Sequence, residues 1–404
     1  MKKYIIISIV VLVVIAGGIF TEFTQEASVK PDYPKFVTEN MVKESFDLWR
    51  VYYLAHQTLS GTFDYNYNFV TQEITDDDNQ VRQAGALRWL VVLHVEKPTD
   101  ETREAIERGF DFWLDHTIQT WDIAYIVYPH TNEWSAGTVA LLSLALIDYL
   151  RVERSPRVQR LYKPYLDSYL LFLQSLQRED NLFFNRYMYK NGVWIGVASP
   201  YSDGEILLAF TKAAKYLWYR WLRDGLVEVA EKMYDTYVSG FVWQWETSDT
   251  FKWFYQRWSM AFYEMYDAGW VDDRFAERIV DMAVWMLDVH NVLYKTRNIW
   301  YALEWLAVAF ETAHRIDDVF AAEKIWQALD LWLYKLMSWQ VWNTISLEYN
   351  PFIQDNFALE DWYGLGWTLN VKNEPLIRID VLQHQMHATY LAKQFVYFYD
   401  DVDY

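Results

Sequence analysis

Helical periodicity runs through nearly the whole chain, and its helices are of two kinds. One kind is amphipathic and charged, as in Asp100–His116 (DETREAIERGFDFWLDH) and Val271–His290. The other is apolar on most faces and rich in small residues, as in Arg82–Leu93 (RQAGALRWLVVL), Ser135–Ile147 (SAGTVALLSLALI) and Asn298–Ala313. An amphipathic helix buries one stripe, whereas a helix apolar all round is buried all round. Twelve helical segments are predicted: 35–57, 79–96, 100–116, 134–152, 156–177, 202–220, 223–242, 251–268, 272–292, 298–315, 317–340 and 380–398. Half-buried and fully buried helices in alternation predict two concentric layers. Six helical hairpins closed into a ring, an all-α (α/α)6 toroid over residues 35–404, satisfy that pattern. An α-solenoid and a terpenoid-cyclase-type ring have the same helix count. A solenoid calls for a repeating motif, and none is read here, which favours the closed ring.

The longer breaks precede the apolar helices: 61–75, 117–130, 182–200 and 346–376. Tyr65-Asn66-Tyr67-Asn68 and Tyr187-Met188-Tyr189 alternate polar and aromatic residues, as short β-hairpins do. Loops gathered at one rim build that rim's pocket. Thr99, Ser202-Asp203 and Asp249 read as helix caps. No linker interrupts the chain after residue 34, so one domain is expected.

The N-terminus sets an expected compartment. Lys2 and Lys3 precede an uncharged apolar run from Tyr4 to Phe20, with Glu22 and Glu26 after it. This reads as a single transmembrane helix, residues 1–21, with a polar stalk at 22–34 and the domain outside the cytoplasm. Cleavage as a signal peptide, with Ala16 and Gly18 as the small residues before the cut, is the alternative and would secrete the domain. The chain has no cysteine, which excludes a lipidated cysteine and disulfides. A formal charge of −19 excludes nucleic acid as a natural partner.

Polar residues at the openings of the apolar helices are the candidates for chemistry. Glu205 sits one turn inside an apolar helix, where burial raises a carboxyl's pKa as a general acid requires. Asp380 and Asp78 are the candidate bases. Arg82, Arg257, Arg297 and Arg378 enter from different helices and suit an anionic or hydroxyl-rich ligand. Tyr201 and Trp258 offer flat faces for a sugar ring, and His384 lies beside them in this set. Each also has a plain structural reading. Asp78 can close a solvated loop, Arg82 and Arg378 can bridge hairpins, and any one aromatic can be core. His384 and His387 stand at a spacing that permits metal ligation, but no third ligand is evident. Neither a metal nor another cofactor is implied.

The hairpin count, the loops before the inner helices, and the acids and aromatics resemble the six-hairpin glycosidase superfamily. The strings NQVRQAG (79–85), YSDGE (201–205) and RIDVLQH (378–384) resemble a set of exported barrel-like proteins without a settled activity. The resemblance implies an extracytoplasmic, carbohydrate-active enzyme with a glycan as partner. A glycoside hydrolase would use Glu205 as acid and Asp380 or Asp78 as base, some 6.5–9.5 Å apart for an inverting mechanism. A uronate epimerase or polysaccharide lyase would use Tyr201, His384 and the arginines. A surface-anchored glycan-binding or scaffold protein would use none of them catalytically.

Overall fold

The computed structural model describes residues 37–75, 77–188, 193–239, 248–291, 300–356, 362–371 and 373–397. The N-terminal apolar run, the stalk and Arg297 lie outside the described residues. Among the described residues, no helix is long and apolar enough to cross a membrane.

Twelve helices alternate between two layers. The outer ones are α1 (Glu39–Ala55), α3 (Asp100–Asp115), α5 (Pro156–Ser175), α7 (Leu226–Tyr237), α9 (Asp273–Asp288) and α11 (Val319–Met337). The inner ones are α2 (Gln80–Glu96), α4 (Ala136–Val152), α6 (Pro200–Tyr216), α8 (Asp249–Asp267), α10 (Trp300–Arg315) and α12 (Ile379–Ala392). Each inner helix packs on the next, and α12 returns to α2, so the ring closes. This is the expected (α/α)6 toroid.

The layer of each helix follows from its residues. In α4 every residue from Ala136 to Leu150 is buried, so neither face meets water. In α3 burial is confined to the stripe Thr102, Ala105, Ile106, Gly109, Phe110 and Trp113, and the charges face out. Each fully buried aliphatic or aromatic side chain stabilises by about 1.5–3 kcal/mol, and the core runs without a break through both layers.

Short antiparallel strands decorate the rim at which the inner helices begin. β1 (Asn66–Asn68) pairs with β2 (Glu73–Thr75), β3 (Thr117–Thr120) with β4 (Ile123–Ile126), and β6 (Arg186–Met188) with both β5 (Trp134–Ser135) and β7 (Val193–Ile195). β8 (Leu376–Arg378) adds to β1 in the register Asn66↔Arg378 and so ties the last inner helix to the first rim loop.

A repeat missed in the sequence appears here. The turn joining an outer helix to its rim hairpin is built twice. Gln57 bridges Phe63 around Gly61, and Gln177 bridges Phe183 around Asn181. Both turn residues have positive φ, +96° and +64°. A Cβ at position 61 would come within 2.3 Å of the Arg108 carbonyl oxygen, so only glycine fits there. Capping also differs from expectation. α6 opens at Ser199-Pro200, and Ser202 and Asp203 lie inside it. The cap of α8 is Ser248, whose side chain accepts from the Phe251 amide, and not Asp249.

Candidate functional site

Four inner helices converge on one buried cluster of charge. Glu205 of α6, Arg257 of α8 and Glu304 of α10 are all fully buried, with His384 of α12 beside them at 7% exposure. Arg257 stands between the acids, its Nε 3.6 Å from Glu205 Oε1 and its Nη1 3.8 Å from Glu304 Oε2. These distances make ion pairs without hydrogen bonds. Neither Glu205 oxygen and none of the Arg257 nitrogens makes an aligned hydrogen bond among the described residues, although the Tyr201 hydroxyl stands near both groups. The Tyr201 ring lies 6.0 Å below the guanidinium.

Glu304 is bonded more tightly. His384 Nδ1 lies 3.1 Å from its Oε1, and Gln256 Nε2 donates to its Oε2 at 3.3 Å. His387, one turn further along α12, also brings Nδ1 to 3.1 Å from that Oε1, but out of line for a hydrogen bond. Its ring packs on Trp89 with centroids 4.1 Å apart.

Local sequence makes room for this cluster. A Cβ on Gly137 would stand 2.6 Å from Glu205 Oε2, and one on Gly204 would stand 2.9 Å from the Arg257 Cβ. The small residues of the apolar helices therefore admit large polar side chains to an otherwise closed core.

The environment divides the two acids. Burial pushes the Glu205 carboxyl up to about 7, against the pull of Arg257 and Arg88. Burial opposes the Glu304 charge as well, yet His384, Arg257 and His387 hold that carboxyl well below the usual range. Burial drives His387 down to about 4 despite Glu304. Burial lifts Tyr201 to about 12. The cluster thus has a proton-holding acid and a fixed carboxylate, separated by one guanidinium.

The other expected residues fall elsewhere or serve otherwise. Asp380 is held bidentately by Arg378, at 3.0 and 2.6 Å, and is touched by Arg82 Nε at 3.2 Å. The Arg82 guanidinium also lies over the Tyr65 ring, 5.4 Å from its centroid. A carboxylate clamped by two arginines is a poor base, and this trio joins β8, α2 and α12 at the rim. Asp78 is exposed and accepts from Tyr128 and Gln83, so it joins two rim loops. Trp258 is fully buried against Tyr234, Phe254 and Phe262, with no face left for a sugar. Asp203, read as a cap, instead accepts from the Phe183 amide and the Tyr237 hydroxyl, and burial raises it to about 7. Sequence reading missed Glu304 and Arg88, and gave His387 only a metal-ligand reading. A lone acid in the apolar run WYALEWLAVAF carries the same signal that marked Glu205.

No family model matches the chain, and no curated protein matches it. Solved structures do. A cellobiose 2-epimerase from Bacillus thermoamylovorans aligns with TM-score 0.61 at 12% identity, covering 88% of this chain and 100% of that one. A D-mannose isomerase aligns with TM-score 0.59 at 11% identity, covering 89% and 98%. A family 76 α-mannanase from Bacteroides thetaiotaomicron aligns with TM-score 0.57 at 9% identity, covering 86% and 94%. The likeness is one of fold alone: the chain shares a mostly helical toroid with these three proteins.

Proposed function

We propose that the protein is a carbohydrate-active enzyme that moves a proton at a sugar carbon beside a carbonyl or carboxylate, as an epimerase or isomerase does. The observation that carries this reading is the His384–Glu304 pair. His384 Nδ1 faces both Glu304 Oε1 at 3.1 Å and the Gln256 amide at 3.0 Å; in the tautomer with Nδ1–H donating to the ionised carboxylate and the Gln256 amide turned to present its oxygen, the lone pair sits on Nε2. Glu304 then steadies the imidazolium that forms when Nε2 takes the proton. Glu205, poised near neutrality, can return a proton, and Arg257 beside it can polarise the carbonyl or hold a uronate. The likeness to an epimerase and an isomerase supports the same chemistry by analogy of fold.

Hydrolysis is the second reading, favoured by the raised Glu205 carboxyl, which suits a general acid. The Asp380 clamp weighs against that residue as its base. The apolar N-terminal run supports placing the enzyme outside the cytoplasm, with envelope or environmental glycans as substrates.

Incubating the protein in D2O with reducing mannose- and glucose-type disaccharides and with uronate oligomers tests these readings. Deuterium entering an unbroken sugar next to its carbonyl or carboxylate is the expected NMR result. New reducing ends without deuterium would replace the proposal with hydrolysis. No change in any sugar would leave a binding or scaffold protein.

A further inference from the structure

The mouth opposite the hairpin rim carries an aromatic groove. Two neighbouring inner helices, α6 and α8, end there in the same left-handed turn. α8 closes on Gly269 at φ +65°, and the Trp270 amide donates back to the Met265 carbonyl at 3.0 Å. α6 closes on Trp218 at φ +66°, and the Tyr219 amide donates back to the Ala213 carbonyl at 3.4 Å. Glycine adopts that conformation freely, whereas a bulky side chain is strained in it. Trp218 gains no burial in return: it is 73% exposed. It lines a groove of about 600 Å³ with the exposed Trp221, the half-buried Trp270, Arg220, Arg223 and Asp224. The Arg220 guanidinium lies over the Trp218 ring at 5.3 Å, and that of Arg223 over the Trp270 ring at 5.2 Å. Lys215 beside them bonds to Glu264 and Asp267, but neither arginine is ion-paired among the described residues.

We propose that this groove is a second, non-catalytic site that holds a stretch of an acidic glycan. Indole faces take the C–H faces of sugar rings, and the free edges of the two guanidiniums fit uronate carboxylates bidentately. The Asp224 carboxylate is an acceptor for ring hydroxyls. The volume lies within the roughly 300–1,000 Å³ of ligand pockets. The formal charge of −19 does not close the groove to an anion. At physiological salt the field of distant acids is screened beyond about 8 Å. A bilayer fits less well. It takes apolar side chains that stand clear of charge, whereas these indoles wall a hollow that has an acid in it. The site stands whatever reaction the buried cluster performs.

Titration calorimetry on the full-length protein tests it, with hexamers of galacturonate, of mannuronate and of glucose as probes. A saturable site is expected for at least one uronate hexamer, with the glucose hexamer at least tenfold weaker. Trp218→Gly, which suits the left-handed turn, should lower uronate affinity at least tenfold and unfold no earlier than the parent on heating. Arg223→Gln should lower it similarly, and both variants should exchange deuterium on a disaccharide as the parent does. Trp121→Ala, at the exposed β3–β4 turn of the hairpin rim, should bind as the parent does. Absence of saturable uronate binding overturns the proposal. So does a glucose hexamer that binds as tightly, or uronate binding unchanged in Trp218→Gly. Quenching of indole emission by brominated phosphatidylcholine vesicles that vanishes in Trp218→Gly, without uronate binding, would give the groove to a bilayer instead. Oligomer binding is read apart from deuterium exchange, so this site and the proposed reaction fail separately.

Discussion

The inner wall of the toroid carries two charged clusters, and they are built in opposite ways. Toward the C-terminal ends, Lys212, Lys215 and Arg315 meet their acids at 2.5–2.7 Å with hydrogen bonds formed. Toward the N-terminal ends, Arg257 stands 3.6 and 3.8 Å from its acids and bonds to neither. Both clusters are largely out of water. Burying charge is costly, and close pairing with hydrogen bonds is what offsets the cost. The first cluster is closed and staples neighbouring helices. The second keeps strong donors and acceptors unspent, which suits groups that act on a ligand.

The largest effect should come from the open cluster and appear in activity. His384→Asn and Glu304→Gln should each lower deuterium exchange by about 10²–10⁴-fold, the usual worth of a positioned acid–base group. Exchange in either variant near the parent rate would remove the pair from the chemistry. The next effect should come from the closed cluster and appear in stability. Asp148→Asn leaves the buried Lys212 with its main partner gone and should cost about 3–5 kcal/mol in urea unfolding. Glu205→Gln should cost far less at neutral pH, because its carboxyl is not hydrogen-bonded among the described residues. Equal costs would erase the distinction between the two clusters.

Proton linkage sharpens the comparison further. The folded chain keeps the Glu205 proton up to about pH 7, whereas the unfolded chain releases it near 4.5. Stability from this group is therefore lost as pH rises through that window. The unfolded chain protonates His387 near 6.5, but the folded chain does so only near 4. Stability from that group is lost as pH falls through its window. Each amounts to about 3 kcal/mol, and the opposite slopes offset one another between about pH 4.5 and 6.5. Relative to the parent, Glu205→Gln should gain stability as pH rises from 4.5 to 7. His387→Gln should lose it from 4 to 6.5. Unfolding midpoints against pH give both difference curves, and curves of the same sign would contradict the opposed titrations.

The toroid was legible because burial on every face leaves a mark in the sequence. SAGTVALLSLALI has no charged face to turn outward, and it lines the ring; DETREAIERGFDFWLD has one, and it lies outside. Strand pairing was legible only in part. The hairpins at Asn66 and Tyr187 show alternation, whereas β8 joining β1 depends on ring closure, which no local pattern records. Glu205 stands out in the sequence because an acid in an apolar run has few structural uses. Glu304 carries the same mark but lies beyond the polar helix openings. The full burial of Trp258 is not legible in the sequence, because an inner helix has two buried faces and composition does not say which one an aromatic takes. The clamp on Asp380 leaves no local mark, because pairing with Arg82 and Arg378 is a property of three elements at once.

The smallest effect belongs to charges with neither kind of burial. Arg186 and Glu133 pair at 2.9 Å across the rim, with side chains 58% and 50% exposed. Water screens such a pair, and holding two long side chains together costs entropy, so exposed pairs contribute about 0–1 kcal/mol. At 2.9 Å the pair is within hydrogen-bond reach, only slightly longer than the 2.5–2.7 Å of the closed cluster, so burial more than distance sets the worth of an ion pair here. Arg186→Ala should shift the unfolding free energy by no more than about 0.5 kcal/mol, and by less in 1 M salt than in 0.05 M. A loss as large as that in Asp148→Asn would mean that short contact, and not closure in a buried ring, is what stabilises these charges.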